Sequence, residues 1–259
     1  MAERAQKRAG GRWLGVAVVV SLLLVVELGV RSGAFNAALV PPPTDVVLRI
    51  ADIIATGAFV EPLAATLYLL FIAYFGASAL AIALGLLMGR FRAIYNLFEP
   101  LVELLRPLPK PALLPPLILF LGLGDLMKSV VVGLAVLFPV LINTIQGVQG
   151  VDPVLINTAR TFGYGRLAVL RKVILPAALP LIFAGLRVSL ALGLILVVIA
   201  EMLAGTGGLG YLILDMQRTF RVQNMYAWLA ILAVLGYALN ALFLALEHRL
   251  IHWAAVRPD

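Results

Sequence analysis

The sequence predicts an all-α, polytopic membrane protein with six transmembrane helices and both termini in the cytoplasm. Three observations predict it. Of 259 residues, 63% are apolar and 13% charged, against roughly 45–50% and about 25% in an ordinary soluble domain. Six apolar runs approach or exceed the length needed to cross ~30 Å of hydrocarbon. Lys and Arg collect on alternate connections, as cytoplasmic loops require.

Residues 1–12 carry Arg4, Lys7, Arg8 and Arg12 and form a basic cytoplasmic N-terminus. Residues 13–30 are the first span, with Glu27 as its sole charge. The Glu-Leu-Gly-Val-Arg run at 27–31 lacks a small-residue cleavage pattern, so a span is favoured over a signal peptide. Residues 31–62 make a polar extracytoplasmic connection. Pro41, Pro42 and Pro43 stop any helix there, and Thr44 or Asp45 is expected to cap an amphipathic piece over 46–54.

Residues 63–89 hold 27 positions without a charge, enough to span with some tilt. Ala73, Ala77, Ala81, Gly85 and Gly89 fall on one stripe, which lets another helix backbone come close. Arg90 and Arg92 mark a cytoplasmic end. The third span, 97–121, is broken by prolines at 100, 107, 109, 111, 115 and 116. Its Glu99, Glu103 and Arg106 share a helical face, so the arginine can pair with a carboxylate. Carbonyls freed by proline are tolerated at membrane depth only against protein or a water-filled path, which makes this a conduit-lining element.

After an outer turn at 122–128, the fourth span covers 129–151 and carries Asn143 and Gln146 near its inner end. The fifth, 177–203, is interrupted by Arg187 and Glu201. Ionisable groups inside spans face a bundle interior or cavity. Asn143, Gln146, Arg187 and Glu201 are therefore the candidate substrate-path residues. The glycines at 205–211 follow no strand and lack the spacing of a phosphate loop, so they read as a tight outer loop. Residues 224–246 are the sixth span and 247–259 a basic-leaning tail.

With this topology twelve of the twenty Lys and Arg residues lie inside: Arg4, Lys7, Arg8, Arg12, Arg90, Arg92, Arg160, Arg166, Arg171, Lys172, Arg249 and Arg257. Five lie outside: Arg31, Arg49, Lys128, Arg218 and Arg221. The net charge of +7 is thus a matter of membrane orientation rather than of nucleic-acid binding. The polar stretch 150–176 faces the cytosol. Asp152 is its N-cap and Pro153 its first helical residue. Gly163 stops that helix, and a second short helix over 166–174 is ended by Leu175-Pro176. Two helices hinged at a glycine offer a partner something to grip, with Ala159 expected to make close contact with it.

Several chemistries are excluded. There is no cysteine, no nucleophile elbow, no H-E-x-x-H and no P-loop. His248 and His252 lie four apart without a third ligand, so no metal site is assigned. The chain is not expected to be an enzyme, and uphill transport would draw on an ion gradient or on a partner.

The stretch 150–176 resembles the cytoplasmic signature of binding-protein-dependent ABC importer permeases, E-A-A, three residues, Gly, nine residues, I-x-L-P. Asn157-Thr158-Ala159, Gly163 and Val173-Ile174-Leu175-Pro176 keep that spacing. Asn157 stands at the acidic position, Thr158 at the first alanine and Val173 at the isoleucine. Further segments are similar to the nitrate, taurine and aliphatic-sulfonate branch: 41–47, Arg-Pro-Leu-Pro-Lys-Pro-Ala-Leu-Leu-Pro-Pro at 106–116, 120–125, 173–180 and 200–211.

The resemblance implies a type I importer permease fold in the inner membrane of a prokaryote. Its ATPase-coupling residues would be Asp152, Pro153, Asn157, Thr158, Ala159, Arg160, Gly163, Tyr164, Gly165, Arg166, Leu175 and Pro176. Implied partners are a cytosolic ATPase dimer holding ATP and Mg, a second permease copy forming a homodimer, and an extracytoplasmic solute-binding protein. No cofactor is expected on this chain. The implied substrate is a small anion of sulfonate, taurine or nitrate type. A heterocyclic vitamin precursor carried by the same family, or an ion-coupled secondary transporter with paired inverted repeats, stands as the alternative.

Overall fold

Where water is absent, every backbone N–H and C=O needs an internal partner, and a helix supplies one along the segment itself. The computed structural model describes residues 2–251, and among them no strand occurs. The helices are α1 (Ala2–Arg31), α2 (Pro43–Ala55), α3 (Val60–Arg90), α4 (Arg92–Leu105), α5 (Leu114–Leu121), α6 (Asp125–Gln149), α7 (Pro153–Thr161), α8 (Arg166–Val169), α9 (Leu175–Ala204), α10 (Leu209–Arg218) and α11 (Val222–Leu250). A 3₁₀ turn, Lys110–Leu113, precedes α5, and a π turn, Leu170–Ile174, joins α8 to α9. Among the described residues, four stretches are long and apolar enough to cross a membrane: Val60–Arg90, Asp125–Gln149, Arg166–Ala204 and Val222–Leu250. The pair Arg92–Leu105 and Lys110–Leu121, bent by 90°, adds a fifth if taken as one broken span. The predicted first span falls within α1. His252 and Arg257 lie outside the described residues, as do the side chains of Arg4, Lys7, Arg8 and Arg12.

The chain divides into two compact units, Met1–Val60 with Leu212–Leu232, and Glu61–Tyr211 with Ala233–Asp259. In the first unit, Glu27 near the end of α1 is tied to the start of α2. It accepts from the Thr44 hydroxyl at 2.8 Å, from the Thr44 N–H at 3.1 Å and from Arg31. This corrects the expected cap. Pro42 is extended and Pro43, which has no N–H to satisfy, opens α2 without a side-chain cap, as proline at a first helical position permits. Thr44 is engaged by α1 instead.

In the second unit, α6 packs along α9 and against α3. Leu70, Met88, Val131, Val136 and Leu141 are fully or almost fully buried at this junction. The small-residue stripe on α3 is used as predicted. A Cβ carbon at Gly85 would lie 2.6 Å from Cβ of Thr144 on α6, so nothing larger than glycine fits there. Gly185 plays the same part for α9, where a Cβ would meet Asn143 Cβ at 2.8 Å and Pro139 O at 2.9 Å.

Three expectations are corrected in this unit. Leu175-Pro176 does not end the second short helix; α8 runs through the π turn into α9 as Arg166–Ala204. The wider i→i+5 turn gives room to a proline ring that would otherwise press on a carbonyl one turn back. The fourth span begins at Asp125 rather than at 129, with Lys128 reaching back to Asp125 at 3.1 Å. The loop after the fifth span contains α10, whose first amides are held by the side chains of Thr66 and Glu201.

Candidate functional site

Asp152 accepts from the Val154 N–H at 2.8 Å and starts α7, with Pro153 in the first turn. The helix ends in a Schellman motif. Gly163 N–H donates to Arg160 O at 2.9 Å and Tyr164 N–H to Ala159 O at 3.1 Å. Gly163 has φ +81°, a left-handed conformation that costs glycine little. Gly165 then caps α8, and Lys172 lies 5.0 Å over the Tyr164 ring.

The surface of this hairpin presents Val154, Leu155, Leu167, Asn157, Thr158, Arg160 and Arg166, all exposed. Phe162 is 78% exposed and adds an aromatic ring to this apolar surface. Ala159 differs from expectation. It is buried within its own chain, in a small core with Val169, Ile174 and Ala178. Its missing bulk lets α7 lie against the α8–α9 run, so the contact it makes is internal. Leu175 and Pro176 are half-buried in the continuous helix, and Pro176 lines a groove of about 470 Å³ inside the hairpin with Thr158, Phe162 and Lys172.

The second region lies at the bend after α4. Pro107, Pro109 and Pro111 remove three backbone donors in succession. Lys110 replaces them, donating to Leu105 O at 3.0 Å and to Arg106 O and Leu108 O at 2.8 Å. These three bonds use all the N–H groups of an ammonium. The same ammonium sits 4.6 Å over the Phe138 ring. A cavity of about 440 Å³ opens beside it, lined by Arg106, Lys110, Phe138, Asn143, Leu192 and Leu196 among others. Asn143 turns one amide N–H to Pro139 O at 2.8 Å, leaving the other available. A second cavity, about 250 Å³, is lined by Tyr95, Glu99, Glu103, Arg106, Gln146 and Gln149. Arg106 borders both.

The structure therefore brings Asn143 and Gln146 to cavities that Arg106 connects. It does not bring Arg187 or Glu201 there. The Arg187 side chain is exposed and donates to Asn240 Oδ1 at 3.3 Å. Glu201 is fully buried in a hydrogen-bond network with Thr66. Sequence reasoning did not single out Phe162 or Thr66. An aromatic directly before a helix-stop glycine in a polar loop could have pointed to the first; nothing local marks the second.

The chain is similar in sequence and fold to known proteins. The family model described as "Binding-protein-dependent transport system inner membrane component" matches residues 81–252. The chain is 29% identical to the putative aliphatic sulfonates transport permease protein SsuC of Bacillus subtilis (strain 168), over 97% of this chain and 93% of that protein. It is 34% identical to the taurine transport system permease protein TauC of Escherichia coli (strain K12), over 82% of this chain and 79% of that one. In fold it is similar to the MetNI methionine ABC transporter in an inward-facing conformation, with a TM-score of 0.60 and 21% identity over 72% of this chain and 91% of that chain.

Proposed function

The chain belongs to the family of binding-protein-dependent transport system inner membrane components, and from that premise we propose how its parts serve import. It is the membrane permease subunit of an ATP-driven importer and not an enzyme; ATP hydrolysis belongs to a partner ATPase, and a binding protein is the other partner the family implies.

In this reading α7 and α8 are the coupling element. They seat on a cytosolic ATPase that holds ATP and Mg, with Asn157, Arg160, Phe162 and Arg166 at the contact and Gly163 at the hinge. The observation that carries it is the exposed apolar and basic face of a hairpin that is rigid within itself. A movement can be passed on only by an element that keeps its shape, and the Asp152 cap, the Schellman turn and the continuous α8–α9 run all resist deformation. Two copies of the chain pair around a central path, each with six spans and cytoplasmic termini, in the inner membrane of a prokaryote. The substrate is a small organic anion of sulfonate or taurine type. The cationic lining at the α4 bend supports this, and so do the substrates named for the relatives.

The test is purification under mild extraction, followed by reconstitution with the cognate binding protein. An associated ATPase and ATP-dependent uptake of taurine or an alkanesulfonate are expected. Extraction without any ATPase overturns the importer reading. Uptake confined to a heterocycle overturns the substrate class alone.

A further inference from the structure

Arg106 stands between two cavities of opposite character. On one side are the ammonium of Lys110, the amide of Asn143 and apolar walls from Phe138, Leu192 and Leu196. On the other are the carboxylates of Glu99 and Glu103. The guanidinium is 3.8 Å from Glu103, too far for a hydrogen bond, and its side chain donates none among the described residues. Glu99, by contrast, already accepts from the Tyr95 hydroxyl at 2.8 Å. A guanidinium carries five donors in a planar fork that matches an oxyanion. At this bend all of them are free.

We propose that the cavity beside Arg106 is the anion-holding subsite of the conduit, that it takes an amphiphilic organic monoanion, and that Glu103 competes with that anion for Arg106. The proposal rests on the importer reading and names where its substrate is held. Arg106 donates to the head group. Asn143 supplies its remaining amide N–H. Lys110 contributes charge but no donor, because three carbonyls hold its N–H groups.

The ligand class follows from the walls. About 440 Å³ lies within the roughly 300–1,000 Å³ typical of small-molecule sites. Phe138, Leu192 and Leu196 offer a body of a few carbons an apolar surface, whereas nitrate would leave that surface wet. One available guanidinium suits one negative charge.

The competition gives the site a release step. With the anion bound, Arg106 turns from Glu103 and that carboxylate faces the inner cavity alone. Its attraction for the guanidinium then favours return and departure of the anion. No bond is made or broken other than these ion pairs.

The test is equilibrium binding of butane-1-sulfonate, pentanoate and nitrate to the purified permease–ATPase complex without binding protein, by titration calorimetry or saturation-transfer NMR. Arg106→Gln weakens butane-1-sulfonate by about tenfold or more, as loss of a charged hydrogen bond implies. Glu103→Gln, nearly isosteric, strengthens it several-fold. Leu192→Trp, which fills the cavity, abolishes it. Equal binding of the sulfonate and carboxylate supports a general oxyanion site, and stronger sulfonate binding supports a head-group preference. Nitrate binding as tightly as either overturns the amphiphilic assignment. Unchanged binding in Arg106→Gln overturns the subsite, and weakened binding in Glu103→Gln overturns the competition. If no ATPase accompanies the permease, the importer reading fails separately, and the same titrations on the permease alone still decide the subsite.

Discussion

Thr66 and Glu201 meet inside the protein, the Thr66 hydroxyl lying 2.8 Å from one carboxylate oxygen and 3.0 Å from the other. Neither side chain is exposed. Leu209 N–H donates to Thr66 Oγ1 at 2.9 Å, and Gly210 N–H donates to Glu201 Oε2 at 2.9 Å. One carboxylate thus joins α3, α9 and the beginning of α10. Its Oε2 also meets the first turn of α10, where backbone amides seek an acceptor.

Removing Glu201 leaves the Thr66 O–H and the Gly210 N–H without an acceptor in a dry setting, although Thr66 Oγ1 still accepts from Leu209. Glu201→Ala is expected to destabilise the permease by about 1–3 kcal/mol. Thr66→Val should weaken it less, and the double variant should fall short of the sum because the two share one network. Thermal unfolding of the detergent-solubilised protein measures this. A Glu201→Ala protein as stable as wild type would remove the latch.

A Cβ carbon added at Gly163 would meet nothing within 4 Å, so substitution there acts through the backbone alone. Gly163→Ala in the left-handed region costs about 1–2 kcal/mol. Gly163→Pro is more severe, since it also deletes the N–H that donates to Arg160 O and demands a negative φ. Both variants should insert in the membrane yet lose ATP-driven uptake, Pro more completely. Uptake at the wild-type rate in Gly163→Pro would sink the coupling assignment.

Phe162 touches little of its own chain. Phe162→Ser should leave the unfolding temperature of the permease unchanged and weaken ATPase association by about tenfold, the scale of a buried aromatic anchor at an interface. Co-elution at falling protein concentration reads this out. Retained association would place the docking surface elsewhere.

Gly185 and Gly76 make a matched pair of helical glycines. At Gly185 a Cβ meets the α6 backbone; at Gly76 it meets nothing within 4 Å. Gly185→Ala is expected to cost about 1–3 kcal/mol by overpacking, while Gly76→Ala is neutral or gains up to about 1 kcal/mol from helix propensity. Equal thermal stability of the two variants would contradict the close α6–α9 approach.

Much of the structure of the proposed coupling region was legible because its signals are local. An aspartate before a proline caps a helix whatever lies nearby, and a glycine before a tyrosine can turn left-handed in any context. The placement of the proposed substrate-path residues was legible only in part. Asn143 and Gln146 reach the cavities because they lie on the α6 face turned toward the bend. Arg187 and Glu201 drew notice by the same rule, that charge inside a span must find a cavity or a partner. Glu201 found a partner, Thr66, on a helix more than a hundred residues away, and no pattern within α9 reports that.

From the sequence alone came the helical membrane class, the stripe of small residues on α3, the proline break after α4 and the pair of helices joined at Gly163. Each depends on hydropathy, on side-chain size at a fixed period, or on the backbone limits of proline and glycine, all carried by neighbouring residues. Tertiary structure alone decided that Ala159 packs inward, that a π turn carries α8 through Pro176 into α9, and that Lys110 is spent on carbonyls while Arg106 keeps its donors. Those outcomes depend on which groups meet in space, and a hydrogen-bond donor is occupied or free only once its acceptors are in place.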